Sequence, residues 1–299
     1  MLTELQDKII AAHHIGSFDS NSPEWHALRL RGIGGSDVAG ILGLSPWNSP
    51  YKVWAVKTGR LDDSFVPSEA ADWGNRLEPI VLDKFEEEFP DLKVYRNVGT
   101  WANNERPWQL ANPDALYETP DGRLGIIEVK TSRYEDGWEN DQPPVHYQTQ
   151  VQWYAQTLGL TAPIYTVALF SGSKFRVFEV ESNQFQQETF LAEVEKFREA
   201  HILEPEAKPD FDGSMATYET VRDLNPDIDD SDCDLGDLGM YYSLAVQDFA
   251  QAESHLNEMK SRVLDAMGTA KRGFVNDQWI VTRQARGAGK PYLINKKNG

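Results

Sequence analysis

Two extended segments joined by a tight turn place the strongest constraint on how this chain folds. Residues 108–118 and 123–132 flank Thr119-Pro120-Asp121-Gly122, in which proline and glycine favour the backbone angles of a turn. The second segment is rich in branched apolar residues, as expected for a buried strand. The sequence therefore predicts a β-hairpin in which one largely apolar strand carries Glu128 and Lys130.

The predicted hairpin brings three charged side chains together. Side chains two positions apart on a strand share a face, so Glu128 and Lys130 point the same way while Val129 points into the core. With a loop of two or four residues, Asp114 lies opposite residues 127–129. We therefore expect Asp114 and Glu128 at adjacent positions on neighbouring strands.

Two neighbouring carboxylates repel each other unless a cation lies between them. Oxygen ligands suit Mg²⁺ or Mn²⁺, and a nearby lysine can orient a water that the metal has acidified. Asp114, Glu128 and Lys130 thus predict a site for phosphodiester hydrolysis. A Glu-x-Lys pair on a solvent-facing strand without any catalytic role is the alternative. Asp121 competes for the role of the aspartate, but turn chemistry alone explains its position before a glycine.

The order of the remaining segments predicts one α/β domain with a mixed central sheet flanked by helices. The first 24 residues have the pattern of a helix followed by a polar loop, and Ser36 is placed as the N-cap of a helix after a glycine-rich turn. Further helical patterns cover 24–30, 49–59, 73–89, 145–158 and 184–202, and further extended segments cover 92–101, 163–171 and 174–181.

The composition changes after this domain, which we assign to residues 1–213. Residues 214–238 are predicted to be an acidic linker, because their second half is acidic and rich in turn residues. Residues 239–299 are predicted to be a C-terminal extension consisting of a long helix and a short basic hairpin.

Charge and cysteine content limit the classes of function. The net charge of −18 argues against a general nucleic-acid coat, yet residues 259–299 carry 9 Lys and Arg against 2 Asp and Glu. A local basic patch that contacts DNA phosphates or a protein partner is therefore predicted there. Cys233 is the single cysteine, so no internal disulfide or cysteine-built zinc site is expected, which fits a reducing cytoplasm. We expect no membrane-spanning or signal segment.

Five motifs in a fixed order give the chain a family resemblance. Asp114, Glu128 and Lys130 match the PD-(D/E)xK nuclease pattern, which implies a restriction-endonuclease-like core. Residues 25–29 with 34–37, WGNRLEP and YQTQVQWY resemble further motifs of the YqaJ-type viral recombinase family, to which lambda exonuclease belongs. The matches run over roughly residues 20–205, and the rest resembles only extensions of some phage members.

The resemblance implies how the site binds metal. Glu78, Asp114, Glu128 and the backbone carbonyl of Val129 would hold two Mg²⁺ or Mn²⁺ ions, and no nucleotide cofactor is expected. Lys130 would orient the attacking water. By itself, Glu78 is equally compatible with a glutamate on the solvent face of its helix.

The resemblance also implies roles for four residues that bind the substrate or complete the site. Gln150 would lie at the active centre, with Tyr154 one helical turn further on, although both fit an ordinary polar helix edge. Arg29 and Ser36 resemble the family's pocket for a 5′-terminal phosphate, although a plain helix cap beside a surface arginine has the same pattern.

The function implied by the resemblance is DNA resection. The protein would be a metal-dependent exonuclease of phage or mobile-element recombination that acts in the bacterial cytoplasm. It would digest duplex DNA from 5′ ends and leave 3′ single strands for a single-strand annealing protein. The family also implies a homotrimer. A structure-specific or restriction-type endonuclease on the same fold, or a non-catalytic DNA-binding protein, are the alternatives.

Overall fold

Helices and strands follow one another throughout the chain. A computed structural model describes residues 2–18, 22–62 and 69–295, and the chain divides into two compact units, residues 1–226 and 227–299. The helices of the first unit are α1 (Leu2–Lys8), α2 (Pro23–Leu30), α3 (Gly35–Ile41), α4 (Pro50–Lys57), α5 (Glu69–Glu88), α6 (Val145–Leu158), α7 (Gln184–Phe197), which continues as a π-helical turn (Arg198–Ile202), and α8 (Met215–Leu224). Its strands are β1 (Ala12–Gly16), β2 (Lys93–Arg96), β3 (Thr100–Asn103), β4 (Leu110–Ala111), β5 (Ala115–Glu118), β6 (Leu124–Ser132), β7 (Ile164–Phe170) and β8 (Lys174–Val180).

The predicted hairpin lies inside a mixed sheet. Within the described residues, this sheet has five strands in the order β2-β5-β6-β7-β8. β5 and β6 form the hairpin, with Ala115 opposite Ile127 and Glu118 opposite Leu124. β6 and β7 are parallel and are connected through α6, whereas the other neighbouring strands are antiparallel. The prediction of a mixed α/β fold is therefore confirmed.

The alternation of side chains along β6 decides what lies on each face of this sheet. Ile127 and Val129 pack with Val81 and Phe85 of α5 on one face. Ile126, on the opposite face, belongs to the large core that includes Trp153 of α6. Glu128 and Lys130 share the face of Ile126 because they are an even number of residues from it. The strand pattern thus directs both charged groups towards α6.

A second sheet, which the sequence analysis did not predict, pairs β3 with β1 and β4. The predicted helix-then-loop over residues 1–24 was wrong after Lys8, because β1 follows and pairs with β3. Residues 92–101 and 108–118 are each divided between the two sheets. Asn97 and Gly99 adopt positive φ values of 54° and 68°, which turn the chain between β2 and β3.

The C-terminal unit is built from a long helix and a small sheet. It contains α9 (Asp237–Met267) and the strands β9 (Arg272–Val275), β10 (Gln278–Gln284) and β11 (Tyr292–Asn295), in the sheet order β11-β10-β9. The sequence suggested a two-stranded hairpin here, whereas β10 pairs with a strand on each side. The described helices include none that is both long and apolar enough to span a bilayer.

Part of the predicted acidic linker is folded. α8 occupies residues assigned to that linker and belongs to the first unit, which ends at Pro226. Ala216, Thr217 and Thr220 of this helix are buried, and the Thr217 hydroxyl donates a hydrogen bond to Ser49 at 2.8 Å. The helix begins at a Ser214 cap, which the acidic composition of the following residues obscured.

Candidate active site

A cavity of about 380 Å³ brings together side chains that are far apart in the sequence. Its walls come from α2, α3, α5, α6 and the β5–β6 hairpin. It is lined by all eight of the predicted site residues whose role depends on a side chain: Arg29, Ser36, Glu78, Asp114, Glu128, Lys130, Gln150 and Tyr154. Val129, predicted to act through its backbone, lies between Glu128 and Lys130 on β6.

Asp114 and Glu128 meet at the open end of the β5–β6 hairpin. The last paired residues are Ala115 and Ile127, so Asp114, which precedes Ala115, and Glu128, which follows Ile127, lie directly beyond this pair. One Asp114 oxygen accepts a hydrogen bond from the Val129 amide at 2.7 Å. Glu128 is 2% exposed, and its Oε2 has no hydrogen-bond partner among the described residues. Such an oxygen is costly to bury unless a cation or water compensates for it.

A network of hydrogen bonds fixes the other oxygen of Glu128. Its Oε1 accepts from Lys130 Nζ at 2.7 Å and from Gln150 Nε2 at 2.6 Å. Lys130 also donates to Gln150 Oε1 at 3.2 Å, and Gln150 Nε2 lies 3.0 Å from the Tyr154 hydroxyl. Gln150 therefore connects the lysine and the glutamate on β6 to the tyrosine one helical turn away on α6.

Burial and mutual repulsion shift the protonation of the carboxylates. Removal from water, followed by the charge of Glu128, raises the pKa of Asp114 well above its usual value. The same two causes raise the pKa of Glu78. Burial opposes the charged form of Lys130, but the carboxylates of Glu128 and Asp114 raise its pKa overall, so it stays protonated at neutral pH. If all three carboxylates were ionised, the site would hold more negative charge than Lys130 compensates for, so a further cation would be favoured there.

The pocket for the predicted terminal phosphate has a different local structure from that expected. Gly34, not Ser36, is the N-cap of α3, so the predicted helix cap was wrong. The Ser36 side chain instead accepts a hydrogen bond from the Arg29 guanidinium at 3.0 Å. The Gly34 amide donates to the Asp37 carboxylate at 2.9 Å, so the side chain that caps the start of α3 belongs to Asp37.

Asp37 belongs to the 34–37 motif of the sequence analysis, which gave it no role of its own, although it organises this pocket. Its carboxylate is buried and lies 2.7 Å from Lys57 Nζ and 3.5 Å from an Arg29 nitrogen. Burial works against its charge, but Lys57 and Arg29 lower its pKa overall. The Arg29 guanidinium also lies 4.5 Å from the centre of the Trp25 ring. Arg29 is therefore fixed on three sides before any ligand binds.

A glycine sets the distance between α3 and α6. A Cβ atom on Gly35 would lie 2.8 Å from the Gln150 carbonyl oxygen and 2.8 Å from Tyr154 Cε1. Only a residue without a side chain fits there, and the fit brings the phosphate-pocket helix against the helix that carries Gln150. The glycine-rich run before α3 was the signal for this close approach.

Other cavity residues were given no role by the sequence analysis, although Trp25, Asn75 and Tyr147 lie within its motifs. They are Trp25, Trp47, Asn75, Asn112, His146 and Tyr147, among others. Lys130 Nζ lies 4.7 Å from the centre of the Tyr147 ring, a cation–π distance. His146 and Tyr147 precede Gln150 on α6, so helical proximity to Gln150 could have suggested them.

The alternative aspartate, Asp121, lies in the turn at the other end of the hairpin. It is exposed and hydrogen-bonds to Thr119 and, at 2.9 Å, to Arg123. It does not line the cavity. Turn chemistry accounts for it, as the sequence suggested.

The residues present fit a divalent cation by their chemistry. In the part of the chain that the structure describes, no three His, Cys, Asp or Glu side chains form a ready-made ligand cluster. The two facing carboxylates nevertheless include a buried Glu128 oxygen without a partner and an aspartate whose charge is disfavoured. Hard oxygen donors in need of positive charge are the donors that Mg²⁺ and Mn²⁺ prefer.

Comparison with known proteins identifies the family. Residues 24–161 match the model of the YqaJ-like viral recombinase domain. The Uncharacterized protein YqaJ of Bacillus subtilis (strain 168) is 33% identical over 266 residues, which cover 85% of this chain and 81% of that protein. The chain belongs to the YqaJ-like viral recombinase family. The family resemblance inferred from the five motifs is thereby confirmed.

Other relatives match a smaller part of this YqaJ-like chain. A protein of African swine fever virus (strain Badajoz 1971 Vero-adapted) is 37% identical over 191 residues, 56% of this chain and 53% of the viral protein. The match thus spans about half the length of that relative.

Solved structures share the fold of the YqaJ-like core. The alkaline exonuclease LHK-Exo of Laribacter hongkongensis superposes with a TM-score of 0.51 at 20% identity, covering 62% of this chain and 96% of the exonuclease. Its complex with dAMP gives a TM-score of 0.50. At this identity the likeness concerns the fold, and it agrees with the predicted PD-(D/E)xK-type core.

Proposed function

We propose that this YqaJ-like recombinase is a metal-dependent exonuclease that digests one strand of duplex DNA from a 5′ end. The observation that carries the proposal is the meeting of Asp114, Glu128 and Lys130 in one cavity, where a buried Glu128 oxygen has no partner among the described residues. The fold shared with an alkaline exonuclease supports the same class of reaction.

Asp114, Glu128 and the Val129 carbonyl would hold the metal, and Glu78 on the cavity wall would supply a further carboxylate for a second ion. When bound, Mg²⁺ or Mn²⁺ acidifies a water ligand and offsets negative charge on the phosphate that reacts. The carboxylates of this chain would fix the position of that positive charge. Burial and their mutual repulsion raise the pKa of Asp114, and that charge would relieve the repulsion.

Lys130 and Gln150 would position the attacking water. The lysine ammonium has three N–H donors and uses two of them on Glu128 and Gln150. These bonds prevent the flexible lysine chain from turning away from the carboxylates. The third donor, near the Tyr147 ring, can contact a water or phosphate oxygen in the cavity.

Arg29 and Ser36 would bind the 5′-terminal phosphate. Both line the same cavity as the carboxylates, and their side chains are already hydrogen-bonded to each other at 3.0 Å. A terminal phosphate carries more charge and more accessible oxygens than an internal one. A guanidinium next to a hydroxyl is suited to that difference. The dAMP complex of the exonuclease with the same fold involves a ligand with one terminal phosphate.

The cellular role would be resection during phage or mobile-element recombination in the cytoplasm of a bacterial host. The product would be a 3′ single strand that a single-strand annealing protein receives. A homotrimer around the DNA would keep the enzyme on one end. The family assignment supports the recombination context, while partner and assembly are part of the proposal.

Digestion of end-labelled duplex DNA tests this function. Duplexes with 5′-phosphate or 5′-hydroxyl ends and a closed circular plasmid are incubated with the protein in Mg²⁺ or in a chelator, and Glu128→Gln serves as the inactive control. We expect Mg²⁺-dependent release of nucleotides from 5′ ends and intact circles. Nicking of circles would favour an endonuclease. DNA binding without cleavage in Mg²⁺ would favour a non-catalytic DNA-binding protein.

A further inference from the structure

An aromatic groove with a volume of about 740 Å³ adjoins the catalytic cavity. We define it by Trp47, Tyr134, Trp138, His146 and Tyr147, which line it. Three of these, Trp47, His146 and Tyr147, also line the cavity that contains the carboxylates. The two concavities are therefore adjacent and share one wall.

The elements that position the catalytic groups continue into this groove. β6 carries Glu128 and Lys130 in the cavity, and Thr131 to Tyr134, which follow on the chain, line the groove. α6 carries Gln150 in the cavity, and its first residues, Val145 to Tyr147, line the groove. A strand of DNA that leaves the catalytic centre along β6 would enter the groove without crossing another element.

Trp47 presents a large aromatic ring that the fold does not use as core. Its residue is 62% exposed, although the loop that carries it is fixed. The Ser45 hydroxyl oxygen accepts hydrogen bonds from the amides of Trp47 at 3.2 Å and Asn48 at 3.1 Å. The His146 ring meets Trp47 edge-on, with 4.9 Å between the ring centres and an angle of 87° between the planes. An indole held in place but left open to solvent is ready to stack with a flat ligand.

Tyr134 provides a second open ring in the lining of the groove. It is 64% exposed, and the Ser132 hydroxyl fixes its backbone by donating to its carbonyl at 2.7 Å and accepting from its amide at 3.3 Å. The Arg133 guanidinium lies 5.5 Å from the centre of the Tyr134 ring and adds positive charge beside it. Aromatic rings next to an arginine suit bases attached to phosphates.

The floor of the groove is rigid, and one of its polar groups has no partner. Trp138 is 5% exposed and packs against Phe170 and Phe178, with ring centres 5.2 and 4.9 Å away. His146 Nε2 is buried and makes no hydrogen bond within the described ranges. Burial and the nearby Lys130 lower the pKa of His146 to about 4, so its ring is neutral at physiological pH. An unpaired nitrogen on the shared wall is unexplained by the packing of this chain alone.

We propose that the aromatic groove binds single-stranded DNA by stacking the unpaired bases next to the scissile phosphate, with Trp47 as the principal stacking residue. This inference rests on the proposed nuclease function, because it identifies the DNA next to that reaction centre as unpaired. Stacking on aromatic side chains tolerates every base, as an enzyme that digests any sequence requires. The groove would thus fix the strand while Arg29 and Ser36 hold its terminal phosphate.

Cleavage of DNA with a missing base provides a specific test. Single-turnover rates are measured on 5′-phosphorylated duplexes that carry one abasic residue at each of the first four positions, with wild type, Trp47→Ala and Trp47→Phe. In wild type, we expect an abasic residue at one or two of these positions to slow cleavage about tenfold, within the range for loss of one base–aromatic stack. Trp47→Ala should be slowed similarly on intact DNA and show no further loss with the abasic substrate.

The phenylalanine variant and a control distinguish stacking from structural damage. Trp47→Phe retains an aromatic face and should recover most of the rate together with the sensitivity to the abasic residue. Phe185→Ala changes an aromatic residue of α7 that is 79% exposed and does not line the groove, so its rates should equal those of wild type. The proposal would be overturned if Trp47→Ala and the missing base slowed cleavage by factors that multiply. It would also be overturned if an abasic residue at none of the four positions changed the wild-type rate.

Equilibrium binding separates this inference from the proposed reaction. In a chelating buffer that prevents cleavage, the affinity of the full chain for an eight-residue thymidine oligonucleotide is compared with that for the abasic oligonucleotide of the same length. We expect wild type to bind the thymidine oligonucleotide more tightly than the abasic one. The variant Trp47→Ala and the double variant Trp47→Ala with Tyr134→Ala should each bind the two oligonucleotides with equal affinity. If the protein binds the thymidine oligonucleotide more tightly but cleaves no DNA, the proposed nuclease reaction is refuted and the proposed role of the groove is retained. Equal affinities for wild type, with normal cleavage, would refute the groove alone and leave an apolar protein segment as its occupant.

Discussion

Asp114 and Glu128 face each other at the end of the β5–β6 hairpin, directly beyond the paired residues Ala115 and Ile127. The Asp114 carboxylate accepts a hydrogen bond from the Val129 amide at 2.7 Å, whereas one buried oxygen of Glu128 has no hydrogen-bond partner among the described residues. The pair is unfavourable in the protein alone. A bound cation would remove the repulsion, so stability and metal binding should be linked at these two positions.

Asp114→Asn should stabilise the metal-free protein at neutral pH and abolish cleavage. The pKa of Asp114 is raised in the folded state above its unfolded value of about 3.9. The contribution of Asp114 to the free energy of unfolding is therefore fully present below the unfolded pKa and is lost as pH rises through the folded pKa. The asparagine has no proton to lose, so the variant should become increasingly more stable than wild type as pH rises. Urea unfolding in a chelator between pH 4 and pH 8 measures this.

The same comparison in Mg²⁺ should reverse the order. Wild type should gain stability as Mg²⁺ is added, and Asp114→Asn should gain much less because one ligand charge is gone. Equal metal-induced stabilisation of both proteins, or cleavage by Asp114→Asn, would remove Asp114 from the site and return the role to Asp121.

Lys130→Met should retain metal binding and lose most of the cleavage rate. The lysine donates to Glu128 and Gln150, so its removal leaves the carboxylates in place and takes away the group proposed to orient the water. Single-turnover cleavage should fall by about two to four orders of magnitude, the usual range for a proton-handling residue. Mg²⁺ titration followed by thermal stability should show metal affinity at least as high as in wild type. Lys174→Met, on an exposed lysine of β8, is the matched control.

The part of the site that could be predicted from sequence is the part set by local geometry. A turn signal and the two-residue period of a strand were enough to place Asp114 next to Glu128 and to orient Lys130 with it. The YQTQVQWY helix placed Gln150 and Tyr154 on one face because residues four apart lie one helical turn from each other. These relationships involve neighbouring elements, so few alternatives exist.

Relationships that depend on packing between distant elements were not predicted. Ser36 was taken as a helix cap because its type and position suit one, but the buried Asp37 satisfies Gly34 once Lys57 and Arg29 neutralise its charge. Lys57 lies on another helix, and no local pattern indicates that pair. The division of 92–101 between two sheets was missed for a similar reason, since it depends on β1, which lies far earlier in the chain.

Gly35→Ala should destabilise the fold and reduce cleavage together. Alanine is the better helix former, so an exposed helical glycine would tolerate it. Here the added Cβ would lie 2.8 Å from both the Gln150 carbonyl oxygen and Tyr154 Cε1. We expect a loss of about 1–3 kcal/mol in the free energy of unfolding, the usual cost of overpacking. Gly213→Ala, where a Cβ would meet no atom within 4 Å, should leave both quantities unchanged in urea unfolding and cleavage assays.

Truncation after Asp237 should weaken DNA binding without removing the catalytic site. The truncated protein retains residues 1–226, which form the first compact unit. It lacks residues 259–299, where Lys and Arg exceed Asp and Glu by 7. Loss of phosphate contacts should lower affinity and flatten the dependence of the logarithm of affinity on the logarithm of salt concentration. Fluorescence anisotropy at several salt concentrations measures both. Unchanged affinity, salt slope and annealing-protein binding would show that the basic segment has neither role.

Arg29→Ala should reduce the preference for 5′-phosphorylated ends. The guanidinium is already fixed by Ser36, Asp37 and the Trp25 ring, so it meets a phosphate with little loss of side-chain freedom. A hydrogen bond to a charged group contributes about 1.5–3 kcal/mol, so use of phosphorylated ends should fall by about one to two orders of magnitude. Cleavage from 5′-hydroxyl ends should change little, because Asp37 keeps its 2.7 Å pair with Lys57 and the pocket stays folded. Arg31→Ala, at the exposed end of α2, is the matched control and should keep the wild-type preference. Competition between the two kinds of duplex end gives the ratio directly. If wild type uses both ends equally, or digests from 3′ ends, the arginine binds no terminal phosphate and its role is limited to pairing with Asp37.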